Sequence, residues 1–140
     1  MGRRERGWLS RLLGARGEAQ AARYLRRQGL RIILQGYRLR SGEIDLIARE
    51  GDTLVFVEVK TRRRGEPVEA VTPRQQERIC RVALRFMRYH ELDRAGVKCR
   101  FDIVAVLWPE DWGRPTIEHY RDAFSMPAKL ASQLMEGGAS

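Results

Sequence analysis

The sequence has few cysteines and histidines and no long apolar run. Two of its 140 residues are cysteine and two are histidine, too few for a zinc site or a disulfide framework. No run reaches the roughly 18 apolar residues of a membrane-spanning helix, and the basic N-terminus is not followed by a signal-peptide stretch. These absences favour a single cytoplasmic domain with reduced thiols and no membrane partner.

Positive charge, in contrast, is abundant and unevenly distributed. Lys and Arg number 27 and Asp and Glu 18, which gives a net charge of +9. The whole excess lies in residues 1–64, because residues 65–140 hold equal numbers of basic and acidic side chains. This asymmetry indicates a polyanion partner, and nucleic acid is favoured over a membrane because no long basic amphipathic helix is predicted. A basic surface that serves only solubility is the alternative.

The predicted elements follow the order α-β-β-β-α-β, with a further short strand at the end. Helical spacing predicts a helix over residues 15–28, and Thr72-Pro73 predicts the start of a second helix that ends near His90. Strands are predicted over residues 30–39, 43–49, 53–61, 99–108 and 116–120. The strands on either side of the second helix should be parallel. The fold class is therefore α/β, with a central mixed sheet flanked by helices.

The chain divides into three parts in this interpretation. Residues 1–14 form a basic N-terminal arm, residues 15–124 form the α/β domain, and residues 125–140 form a C-terminal tail. Within the domain, residues 62–71 are predicted to be a basic loop.

Acidic residues stand in pairs on two neighbouring predicted strands. Side chains alternate faces along a strand, so Glu43 points the same way as Asp45, and Glu58 the same way as Lys60. If Gly51-Asp52 is a two-residue loop, Asp45 lies opposite Glu58. A turn one residue earlier places Glu43 opposite Glu58, and a three-residue loop would put Glu58 on the other face from Asp45. In both two-residue registers, one face of the sheet carries three carboxylates and one ammonium. These belong to Glu43, Asp45, Glu58 and Lys60.

Such a cluster is costly unless a cation occupies it, because opposed carboxylates repel each other. Oxygens of Asp and Glu suit Mg²⁺ or Mn²⁺, which would activate a water and stabilise phosphoryl charge. Lys60 could orient that water. The alternative is an ordinary Glu43–Lys60 ion pair with Asp45 in solvent.

Glu18 lies on the first helix, at the edge of the stripe that packs on the sheet. It is either a further ligand or a residue that the helix dipole favours there.

A ridge of arginines follows the second helix. With residues placed 100° apart, five of them fall within an arc of about 80°: Arg74, Arg78, Arg81, Arg85 and Arg88. The ridge contains no acid, which favours contact with backbone phosphates over a merely solvated face. The predicted loop directly after Lys60 adds the positive charges of Arg62, Arg63 and Arg64.

Gln75 has two interpretations. It is spaced to close a capping box with Thr72, and it also lies at the start of the helix that follows Glu58 and Lys60, where it could bind water or a phosphate oxygen. Asp102, within an apolar strand, has no clear role from sequence.

Five segments together resemble the YraN family of bacterial proteins, over residues 14–122. They are Gly17-Glu18-Ala19 with Ala22-Arg23-Tyr24-Leu25, then Gly42–Ala48, Val55–Arg62, Ala70–Pro73 and Arg100–Val106. That family is similar to the PD-(D/E)XK nuclease superfamily, in particular to archaeal Holliday-junction resolvases. The resemblance matches Glu18 to the superfamily's helix glutamate and Asp45 to its strand aspartate. It also matches Glu58 and Lys60 to the E-x-K motif, and Gln75 to the glutamine that follows in resolvase-like members.

The resemblance implies a magnesium-dependent endonuclease with a restriction-endonuclease-like αβββαβ core. Asp45, Glu58 and Glu18 would hold the metal and Lys60 would assist the attacking water. DNA is the expected substrate, with branched or recombination intermediates among the candidates, and a homodimer is expected by analogy with resolvases. Ile44 replaces the proline of the superfamily name, and Glu43 is an additional acid without an assigned role. There are two alternatives: a non-catalytic nucleic-acid-binding module and a scaffold for an acidic protein. The sequence does not distinguish DNA from RNA as the nucleic acid.

Overall fold

A five-stranded sheet with helices on both faces forms the centre of the fold. The computed structural model describes residues 3–66, 70–111 and 113–138, and among these the side chains of residues 11–133. The elements are α1 (Arg3–Arg27), β1 (Arg31–Leu39), β2 (Gly42–Glu50), β3 (Thr53–Arg63), α2 (Pro73–Tyr89), β4 (Lys98–Trp108), β5 (Thr116–Phe124) and α3 (Ala128–Gly138). The strands lie side by side in chain order. The predicted α/β class, with a restriction-endonuclease-like αβββαβ order, is confirmed.

The sheet is mixed because α2 carries the chain across it between β3 and β4. These two strands pair in parallel over their full length, whereas the other three neighbouring pairs are antiparallel. A parallel pair needs such a crossover, which agrees with the predicted strand–helix–strand unit. The order of elements therefore brings the end of β3 and the start of α2 to one end of the sheet.

Two apolar cores lie on opposite faces of this sheet. Along β3, Leu54 and Phe56 pack against α2, whereas Val55 and Val57 pack in the cluster that contains Ala21, Ala22 and Leu25 of α1. This alternation is what a strand buried on both faces requires. Each helix is thus fixed against one face of the strand that carries Glu58 and Lys60.

The start of α2 confirms the capping interpretation of Gln75. The Gln75 N–H donates to Thr72 Oγ1 at 3.2 Å, and the Thr72 N–H donates to Gln75 Oε1 at 3.0 Å. Pro73 occupies the first helical position, where its missing N–H costs nothing. The side-chain oxygen of Gln75 is therefore engaged in holding the helix end.

Several element bounds differ from the sequence predictions. Helix α1 begins at Arg3 rather than at residue 15, because Gly14 and Gly17 weaken the helical pattern without breaking the helix. Strand β3 continues to Arg63, so Arg62 and Arg63 belong to the strand and only Arg64 follows it. Helix α3 was not predicted. Within the described residues, no helix is both long and apolar enough to cross a membrane.

Asp102 on β4 is a structural residue. Its carboxylate is 0% exposed, and its oxygens accept from Arg100 Nε at 3.0 Å and from the Asp122 N–H at 2.9 Å. His119 Nε2 lies 2.8 Å from the same carboxylate. Asp122 has a left-handed φ of 51°, and the β4–β5 register shifts near it. Asp102 therefore holds an irregular part of β5 to the sheet.

Candidate metal centre

The β2–β3 hairpin adopts the register predicted for a two-residue loop at Gly51-Asp52. Glu50 lies opposite Thr53, and Leu46 lies opposite Val57. Pairing ends at Leu46, although β3 continues along β4 as far as Arg63. Asp45 and Glu58, the next residues in this register, thus stand where the two strands separate. We call this place the fork.

The Asp45 side chain fills the gap that opens at the fork. Its Oδ2 accepts from the Val59 N–H at 2.8 Å, so a carboxylate takes the place of the backbone acceptor that a paired strand would supply. Strand β2 also departs from strict alternation here, because Ile44 packs on the α2 side and Leu46 on the α1 side. Asp45 is consequently accessible to acidic side chains from both faces of the sheet.

Three carboxylates converge at the fork from α1 and β2. Glu18, Glu43 and Asp45 each offer one oxygen, and the three oxygens lie within 4.8 Å of one another. Glu43 lies near Asp45, as its predicted position on the same face requires, although the superfamily pattern assigns it no role. Its expected pairing opposite Lys60 is wrong, because the β2–β3 ladder has ended, and Glu43 pairs instead with Arg38 Nε at 3.1 Å.

Glu58 and Lys60 complete the group from β3. Glu58 shares a hydrogen bond with Asp45, so Asp45 links it to the other acids. Lys60 Nζ lies 3.9 Å from Glu58 Oε1, and both side chains are largely buried. The structure thus brings together Glu18, Asp45, Glu58 and Lys60, as the sequence predicts.

Gly17 explains how α1 comes close enough to deliver Glu18. A Cβ atom at Gly17 would stand 1.9 Å from Oγ1 of Thr61 on β3, so any side chain there would force helix and strand apart. The lack of a side chain lets α1 lie directly on the end of β3. Glu18, the next residue, then faces the fork.

The proximity of these acids raises their pKa values. Burial, followed by the charge of Asp45, raises the pKa of Glu58 to about 8, although Lys60 opposes the shift. The same two causes raise the pKa of Glu18 to about 7. Burial also raises the pKa of Asp45, against the hydrogen bond from Val59. The cluster therefore resists carrying its full negative charge unless a cation compensates it.

The donor set at the fork is suited to a hard divalent cation. Every donor is a carboxylate oxygen, the ligand type that Mg²⁺ and Mn²⁺ prefer over soft metals. The three oxygens of Glu18, Glu43 and Asp45 already lie close together. The residues present therefore fit the cation that was predicted, with Glu43 as an additional donor.

A cleft lined by three arginines and three acids opens beside the fork. It has a volume of about 440 Å³, and its lining includes Glu43, Asp45, Glu58, Gln75 and three arginines: Arg38, Arg40 and Arg78. Gln75 thus faces this cleft while its side-chain oxygen caps α2. Arg78 is held close to β2, since a Cβ atom on Gly42 would lie 2.8 Å from Arg78 Cγ.

The arginine ridge is only partly as predicted. Its five members are exposed, and within the described residues Arg74, Arg78 and Arg85 form no ion pair. The expectation that no acid accompanies the ridge is wrong, because Glu77 Oε1 pairs with Arg81 Nη2 at 2.9 Å. The Arg63 guanidinium likewise pairs with Glu66 at 3.1 Å.

Comparison with known proteins places the chain in a family. The model described as "Uncharacterised protein family UPF0102" matches residues 17–106, which include every acid of the fork and all of α2. The chain belongs to the UPF0102 family. This agrees with the YraN resemblance seen in the sequence.

Individual UPF0102 proteins match most of the chain. A UPF0102 protein of Rhodococcus opacus (strain B4) is 52% identical over 115 residues, which cover 80% of this chain and 95% of the relative. A UPF0102 protein of Geobacter sulfurreducens is 47% identical over 123 residues, or 84% and 91% of the two chains. One from Rhodopirellula baltica is 50% identical over 119 residues, or 81% and 70%.

Proposed function

We propose that this chain is a metal-dependent endonuclease that hydrolyses phosphodiester bonds in DNA in the cytoplasm. The observation that carries the proposal is the meeting of Glu18, Glu43 and Asp45 at the fork, with Glu58 and Lys60 beside them on β3 and a cleft lined by arginines next to the group. The same residues match the pattern of the PD-(D/E)XK nucleases, and the αβββαβ order is consistent with that likeness.

The acids of the fork are the proposed ligands of Mg²⁺ or Mn²⁺. Asp45 is central, because it is close to Glu18 and Glu43 and is hydrogen-bonded to Glu58. When bound, such a cation supplies Lewis-acid stabilisation of charge on a phosphoryl group. The raised pKa values of Glu18 and Glu58 mean that metal binding should release protons near neutral pH.

Lys60 is the proposed catalytic partner of the acids. Its ammonium group is held on β3 beside Glu58, where it can donate a hydrogen bond to the attacking water or to a phosphate oxygen. The water gives up a proton to a carboxylate of the fork and its oxygen forms a bond to phosphorus, as the bond to the leaving sugar oxygen breaks in line with it and that oxygen takes a proton from solvent. A fixed positive charge at this point stabilises the additional negative charge of the transition state.

The arginines beside the fork are the proposed anchors for the DNA backbone. Arg78 and Arg38 line the cleft itself, and Arg74 lies at the exposed start of α2. Guanidinium groups pair with phosphates in two-point geometry and neutralise their charge. Symmetric cutting of two strands would need two copies of the site, so a homodimer on DNA is part of the same proposal.

A cleavage assay tests the proposal. The wild-type protein is incubated with Mg²⁺ and end-labelled duplex, single-stranded and four-way-branched DNA, beside the Glu58→Gln and Lys60→Met variants. The exposed Glu110→Gln serves as the matched control, and thermal melting shows that each variant is folded.

We expect the wild type and Glu110→Gln to cut at least one DNA form. Loss of a group that assists proton transfer or carries compensating charge should slow cutting about 100-fold or more. A wild-type protein that binds DNA but cuts none of the three forms with Mg²⁺ or Mn²⁺ would contradict the proposal and favour a non-catalytic binding module.

A further inference from the structure

A second cleft lies between α2, α3 and the β1–β2 turn. Its volume is about 460 Å³, and four arginines line it together with Ser41: Arg40, Arg81, Arg85 and Arg88. No acidic side chain lines this cleft among the residues that the structure describes. The cleft therefore has the charge of an anion-binding site.

Helix α3 builds one wall of this cleft and is fixed in place. Leu130 is 1% exposed and packs into the α2-side core. At the same helix, Lys129 Nζ pairs with Glu77 Oε1 at 2.9 Å, and Arg88 Nη2 donates to the Gln133 carbonyl oxygen at 3.1 Å. The wall is thus formed before any ligand binds, which lowers the ordering cost of binding.

Three of the four arginines form no ion pair within the described part of the chain, and two of these three also form no side-chain hydrogen bond there. Glu77 neutralises part of the charge of Arg81 and Lys129, which share its carboxylate. Arg40 and Arg85, in contrast, form neither an ion pair nor a side-chain hydrogen bond with any residue in the described part of the chain. Their guanidinium groups can therefore both engage a phosphate.

The second cleft lies next to the cleft at the fork. Arg40 lines both clefts, so the two adjoin at this residue. Along α2, Arg85 and Arg88 lie seven and ten residues beyond Arg78, which corresponds to about 10 and 15 Å at the rise of an α-helix. These distances span a few nucleotides of a strand, which advances about 3.4 Å per nucleotide along a duplex axis.

We infer that the cleft between α2 and α3 is a phosphate subsite, and that it binds the nucleic-acid backbone a few nucleotides from the bond cleaved at the fork. The inference rests on the proposed nuclease function for the identity of its ligand. Arg40 and Arg85 contact the phosphates, Ser41 adds a hydroxyl, and Arg88 with α3 shapes the wall. Arg85, which does not line the cleft at the fork, thereby extends the stretch of DNA that the protein contacts.

The test measures DNA binding without cleavage. A fluorescein-labelled 20-base-pair duplex is titrated in EDTA over a range of salt concentrations with the wild type, Arg40→Gln and Arg85→Gln. Arg94→Gln, at an exposed arginine in the turn after α2, is the matched control. Each subsite variant should lower the slope of log affinity against log salt by about one and weaken binding roughly tenfold at 0.1 M salt. Arg94→Gln should change neither quantity.

The outcomes separate this inference from the proposed function. If Arg40→Gln and Arg85→Gln keep the wild-type affinity and slope while the wild type cuts DNA, the subsite is wrong and the nuclease stands. If binding depends on Arg40 and Arg85 but the wild type never cuts, the subsite stands and the nuclease is wrong. A wild type that does not bind the duplex overturns the subsite.

Discussion

Glu58→Gln should stabilise the metal-free protein, by an amount that grows with pH. Burial and the charge of Asp45 raise the pKa of Glu58 from 4.5 to about 8. As pH rises above 4.5 the unfolded chain loses this proton while the folded chain retains it, so the contribution of Glu58 to stability is present below pH 4.5 and lost by pH 8. At about 1.36 kcal/mol per pKa unit, the loss at pH 7 is at most about 3 kcal/mol.

Urea unfolding followed by circular dichroism measures this effect. Wild type, Glu58→Gln and the exposed control Glu110→Gln are unfolded in EDTA at pH 5, 7 and 9. The free energy of unfolding of Glu58→Gln should exceed that of wild type by a margin that widens from pH 5 to pH 9, while Glu110→Gln follows wild type. Added Mg²⁺ should raise the stability of wild type more than that of Glu58→Gln. A margin that stays constant with pH would refute the reasoning, because Glu58 would then not be a buried acid that the cluster keeps protonated.

Three further substitutions and one control test how the site and its scaffold are held. Gly17→Ala should destabilise the protein by about 1–3 kcal/mol, because its Cβ would stand 1.9 Å from the Thr61 hydroxyl oxygen. Gly14→Ala, on the same helix with nothing within 4 Å, should be neutral or slightly stabilising in the same urea titration. Thr72→Ala removes the capping box and should lower the free energy of unfolding by about 1 kcal/mol. Asp102→Ala should cost about 3 kcal/mol, seen as a fall in melting temperature, because it removes the acceptor of His119 and of the Asp122 N–H, whereas Arg100 keeps Glu50. An unchanged melting temperature would contradict this structural role of Asp102.

Local chemistry made the hairpin and the second helix predictable from sequence. The Gly51-Asp52 loop sets the register of β2 and β3, since a two-residue loop leaves one pairing in which Asp45 is opposite Glu58. Thr72 and Gln75 define the start of α2 through their own spacing. In both cases the decisive contacts join residues a few positions apart in the chain.

Contacts between distant segments explain what the sequence did not predict. The separation of β2 from β3 beyond Leu46, which leaves Glu43 paired with Arg38 rather than with Lys60, was not predicted. The pairing of Glu77 with Lys129 depends on where α3 packs, which no periodicity in α2 reveals. Such features arise from tertiary packing, where local propensity has little influence.

The central claim is that the acids of the fork form a cation site. Calorimetric titration of Mn²⁺ into metal-free protein tests this claim most directly. Wild type is compared with Asp45→Asn, whose amide oxygen can still accept the hydrogen bond from Val59. We expect wild type to bind one ion per fork with release of protons, and Asp45→Asn to bind at least about tenfold more weakly. Equal affinity in the two proteins, or no binding to wild type at millimolar Mn²⁺, would contradict the account.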